Sequence, residues 1–139
     1  MPKNQVFGQS GGVINLKLDT RQINNLYTGV KLATELRATN DNLRKFLTVQ
    51  GYSYDVNGEI IEFNKILNKN ILNDIYFELR CYEISVDYYI NHWDVTEDNL
   101  INEIYQDDIK GIDALELQLK KYIEDFSVLK PEWYCDNLL

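Results

Sequence analysis

"NDIYFELRCYEISVDYYINHW", residues Asn73–Trp93, decides how the chain is read. Along it Ile75, Leu79, Tyr82, Val86, Tyr89 and Trp93 recur at steps of four and three, the spacing of one face of a helix. Tyr76, Phe77, Ile84 and Tyr88 widen that stripe beyond a two-stranded seam. A helix apolar over so broad a face belongs inside a bundle. Upstream, Phe63, Leu67 and Ile71 extend the same stripe from Ile60, with a break near Asn70.

Working outward, Thr96 is placed to cap a helix over "EDNLINEIYQ", with acids in its first turn where the helix dipole favours them. The segment Asp107–Gly111 interrupts the pattern. Ile112, Leu115, Leu119, Tyr122, Phe126 and Leu129 then predict a last helix, which Pro131 stops. On the other side, Thr20 caps a stripe of Ile23, Leu26, Tyr27, Val30 and Ala33, continued by Leu36 and, past a break into two helices at Thr39-Asn40, by Leu43, Phe46 and Leu47. "VINLKL" (Val13–Leu18) alternates and reads as a short strand. Asn57-Gly58 is a turn signal. It predicts either a hairpin over residues 52–63 or, the favoured reading, a loop into a helix at Glu59. Residues 1–12, with Gly8, Gly11 and Gly12, lack periodicity and read as a flexible arm or loop. The expected fold is therefore mainly α. It is a compact bundle of four to six helices in one domain, residues 1–139, with an N-terminal strand and room for a small hairpin near residues 52–63.

The composition narrows the function classes. The chain has 139 residues, 45% of them hydrophobic and ten of them tyrosine, which is too apolar and aromatic for a disordered segment. The formal net charge is −8 and is unevenly spread. Residues 1–50 carry seven bases against three acids, and the remainder seven against nineteen. An acidic body repels nucleic acid and attracts basic surfaces. No stretch approaches the ~20 apolar residues of a membrane span. The N-terminus carries no apolar run of the secretory kind. Two distant cysteines, Cys81 and Cys135, read as reduced thiols, and the expected location is the cytoplasm.

Catalytic and metal motifs fail one by one. His92, the one histidine, follows the apolar stripe and reads as a structural residue near a helix C-terminus. One histidine and two distant cysteines make no zinc set. Glu-x-x-His is absent, because Tyr89 stands three before His92. "DVNGE" (Asp55–Glu59) misses the first and last ligands of a calcium loop. "GQSGG" (Gly8–Gly12) lacks the lysine of a phosphate loop. It also lacks the strand-to-helix setting of a nucleophile elbow. Arg37, Arg44 and Lys45 flank a conceivable helix–turn–helix at Thr39-Asn40, but the acidic remainder opposes phosphate binding.

What is left is a surface. Trp93, Asp94, Glu97, Asp98, Glu103, Asp107 and Asp108, with Trp133 and Tyr134, form a candidate contact set in which acids ring aromatics. The expectation is a protein without enzymatic activity, cofactor or metal: an acidic inhibitor of the immunity or phage anti-defence kind. It would dock on a basic partner such as a nuclease toxin or defence effector. A phage virion or assembly component that oligomerises through its N-terminal arm is the first alternative. A small helical nucleic-acid-binding regulator is the second.

Overall fold

The computed structural model describes residues 14–62 and 75–139. It replaces the helical bundle with a six-stranded antiparallel sheet. In chain order the elements are α1 (Thr20–Tyr27), β1 (Leu32–Leu36), β2 (Leu43–Tyr54), β3 (Ile60–Glu62), β4 (Tyr76–Ser85), α2 (Asp87–Ile90), β5 (Ile101–Lys110), α3 (Gly111–Leu119) and β6 (Lys130–Pro131). The strand order is β5-β4-β2-β1-β6, and β3 pairs with β2 beyond the end of β1.

The deciding stretch is a central strand. β4 pairs with β2 from Leu43↔Ser85 to Tyr52↔Tyr76 and with β5 on its other edge. Phe77, Leu79 and Cys81 point to one face and Tyr82 and Ile84 to the other, and all five are buried. A strand covered on both faces has an almost continuous apolar run. Steps of three and four can be picked from such a run as easily as steps of two.

The main core lies on one face of the sheet. Leu32 and Leu36 of β1, Leu47 and Val49 of β2 and Phe77 and Leu79 of β4 meet Leu26 of α1 and Leu115 and Leu119 of α3. α1 and α3 therefore lie together on that face. On the opposite face a smaller cluster of Phe46, Tyr82 and Ile84 is covered by Tyr88, Tyr89, Val95 and Leu100 and by the C-terminal residues Cys135 and Leu139.

Each expected helix is corrected in turn. α1 is real but ends at Tyr27, and its cap is Asp19 rather than Thr20. Asp19 Oδ1 accepts from Gln22 N at 2.7 Å while Gln22 Oε1 accepts from Asp19 N at 2.9 Å, a reciprocal capping box. Gly29, with φ 90°, follows the helix in the left-handed conformation that glycine adopts without steric cost. The stripe continued through Leu36, Leu43, Phe46 and Leu47 is β1 and β2, and Thr39-Asn40 is the turn between them. Arg37, Arg44 and Lys45 thus flank no helix–turn–helix. Arg44 is held in an internal bidentate pair with Glu35, at 2.7 and 2.8 Å.

The hairpin forms instead of the helix at Glu59. Tyr54 pairs with Ile60 across Asn57-Gly58, and Asp55 Oδ1 accepts from the backbone N–H of Asn57 and Glu59. The helix at Glu97 shrinks to a single 3-10 turn, Glu97–Asn99, before β5. The last helix keeps only Gly111–Leu119. Residues 14–18 form no strand: Ile14 and Leu16 are exposed, and Leu18 N donates to buried Glu116 at 2.8 Å. The arm at residues 1–12, Val13 and the helical reading of Phe63, Leu67 and Ile71 lie outside the described residues.

Candidate functional site

Among the described residues β5 forms one edge of the sheet. It is almost entirely exposed, with Ile109 its one buried residue. Ile101, Ile104 and Tyr105 are 39%, 50% and 49% exposed, which puts large apolar side chains beside the backbone of an edge strand. Asn102 and Asp108 have φ near +53°, and the pairing with β4 slips twice, so the strand is bulged.

The acids around it divide into two groups. Arg80 of β4 binds Glu97 at 3.1 Å and Glu103 at 3.2 Å, and its guanidinium lies 5.6 Å from the Tyr105 ring centre. Asp108 Oδ1 accepts the hydroxyls of Tyr52 at 2.5 Å and Tyr54 at 2.6 Å, while Asp108 N donates to Tyr52 Oη at 2.7 Å. Those hydroxyls hold the Asp108 carboxyl below its ordinary pKa. Asp94, Asp98 and Asp107 make no ion pair among the described residues. They leave negative charge available at this edge.

A small pocket opens beside β5 on the sheet face that α1 and α3 do not cover. Its volume is about 140 Å³, and Tyr52, Tyr105, Glu78, Asp107, Gln50 and Ile60 line it. Tyr105 donates its hydroxyl to Glu78 Oε2 at 2.7 Å, and that bond, with burial, pushes the phenol up to about 12. Tyr52 is raised by burial first and then by Asp108. Both phenols are therefore neutral donors across the physiological range.

The structure separates the expected contact set. Asp94, Glu97, Asp98, Glu103, Asp107 and Asp108 lie on β5 or on the connection leading into it. Trp93 joins them at the start of that connection, half exposed and edge-on to Tyr88 with ring centres 5.5 Å apart. Trp133 and Tyr134 follow β6, with β1, β2 and β4 between that strand and β5. Four inter-strand spacings make about 19 Å. The two aromatics pack at a tilt, ring centres 6.1 Å apart, and line a separate groove of about 590 Å³ with Arg21, Asn25 and Pro131.

His92 lies just after α2 with φ 54°, and Trp93 N donates to Tyr88 O at 3.0 Å, which closes the helix C-terminus. The histidine is exposed at that turn. Cys81 is buried in β4 and its thiol is pushed up to about 11; both cysteines are free. Among the described residues no group of three His, Cys, Asp or Glu side chains has metal-binding geometry. Among them too, no helix is long and apolar enough to cross a membrane.

Sequence reasoning missed Ile101, Ile104, Tyr105, Tyr52, Glu78 and Arg80. Ile101, Ile104 and Tyr105 carry no period-two pattern, and the segment "EDNLINEIYQ" reads as a helix from its sequence. No protein-family model, curated protein or solved structure matches the chain.

Proposed function

We propose that the protein is a cytoplasmic, non-enzymatic binding protein that docks on a basic partner and neutralises it. The partner would be a nucleic-acid-handling protein of the nuclease-toxin or defence-effector kind. The observation that carries this reading is the exposed outer edge of β5, where Ile101, Ile104 and Tyr105 stand among acids. An edge strand offers unpaired backbone donors and acceptors to an incoming strand. Backbone pairing then gives affinity, and the alternate side chains give specificity. The acids select the partner. Two copies of β5 brought together would repel, whereas a lysine- or arginine-bearing strand is attracted.

Fluorescence anisotropy tests this with a labelled peptide of alternating lysine and valine. Saturable binding is expected, weakening at least about tenfold between ~0.05 and ~0.3 M salt. A peptide of the same charge interrupted by proline, which cannot pair as a strand, is expected to lose it. Equal binding of the two peptides, or no binding at low salt, contradicts the reading.

A further inference from the structure

The pocket between Tyr52 and Tyr105 is too small for a drug-sized molecule, whose sites run to several hundred Å³. Its size suits the end of one side chain. Two tyrosine rings wall it, and each hydroxyl is held by a carboxylate, Tyr52 by Asp108 and Tyr105 by Glu78. The rings are therefore fixed before anything enters. Glu78 and Asp107 add two carboxylates to the lining, and none of the described lining residues is basic. Arg80 reaches Tyr105 but is committed to Glu97 and Glu103. Aromatic faces and carboxylates around a small cavity are the surroundings that attract an organic cation.

We propose that this pocket receives the cationic head of a basic side chain, a guanidinium or an ammonium, from the strand that docks along β5. The inference rests on the β5 reading for the source of that side chain. It explains how an edge strand, whose backbone pairing is sequence-blind, would choose a basic partner at a particular register. The cation would contact the Tyr52 and Tyr105 rings and the carboxylates of Glu78 and Asp107, while the neighbouring β5 backbone pairs with the partner strand.

The test uses the whole chain and small probes. N-acetyl-arginine amide and N-acetyl-lysine amide are titrated separately while the ring signals of Tyr52 and Tyr105 are followed by NMR. Saturable shifts of these two rings are expected at about millimolar concentration, as suits one cation contact. The tighter probe identifies the preferred head group. The Glu78→Gln, Asp107→Asn double variant is expected to weaken binding at least fivefold, and Asp113→Asn, in the first turn of α3 on the other face of the sheet, to leave it unchanged. Circular dichroism and thermal unfolding of the double variant, expected to match the wild type, separate loss of the carboxylates from loss of the fold. No saturable shift for either probe, or equal binding by the double variant, overturns the pocket. That result would leave the edge reading standing if the lysine–valine peptide still binds. Probe binding without peptide binding would support the pocket and sink the edge reading instead.

Discussion

Glu83 is an acid on a core-facing position of β4, 1% exposed. Burial works to raise its pKa, but the hydroxyl and backbone N–H of Thr39 and the side-chain amide of Asn102 donate to it at 2.6–2.7 Å and win, so the carboxyl is held below its usual range. One side chain thus ties the β1–β2 turn to the bulge at Asn102 that starts β5. Replacing it leaves three donors without their acceptor. Glu83→Ala is predicted to lower stability by about 2–3 kcal/mol near neutral pH, measured by urea unfolding. Because the folded pKa is depressed, the contribution is present above the unfolded value near 4.3. It is lost as pH falls through the lower folded value. The gap between wild type and variant should therefore narrow as pH falls below about 5. A gap that stays constant with pH would mean that Glu83 acts by packing alone.

The β2–β3 hairpin shows what local chemistry can specify. Gly58 has φ +80° with nothing within 4 Å of an added Cβ, so its conformation alone makes alanine unfavourable there. Gly58→Ala is predicted to cost about 1–2 kcal/mol in thermal unfolding, although it meets no steric clash. This turn was legible in the sequence because Asn-Gly carries its own backbone preference. The Asp19–Gln22 capping box was equally local and could have fixed the start of α1. β4 was not legible from spacing. Ile75 and Leu79 belong to the main core, Tyr82 to the opposite face and Val86 lies beyond the strand, yet their spacing imitates a helix. The better signal was residue type, since Tyr76, Phe77, Tyr82 and Ile84 are aromatic or β-branched and favour strands. The same error turned β5, the element on which the functional reading now rests, into a helix. The charge of the candidate site could be read in advance. The separation of Trp133 and Tyr134 from the acids could not, because strand order is set by long-range pairing.

At the scale of the molecule, the sheet has two covered regions and one acidic, partly apolar edge. A ten-residue edge strand is a hazard unless something manages it. Here the bulges at Asn102 and Asp108 and the acids Glu103, Asp107 and Asp108 disfavour self-pairing. The same charges invite a basic strand. That contrast, repulsion between like edges and attraction to a cationic one, is the central claim. Hydrogen exchange of the free protein and of its complex with the alternating lysine–valine peptide tests it most directly. The account predicts that those amides of Ile101–Asp107 not bonded to β4 exchange fast in the free protein and slow at least tenfold in the complex, with β4 unchanged. Protection of those amides before the peptide is added, or protection that appears around Trp133 and Tyr134 instead, would contradict it.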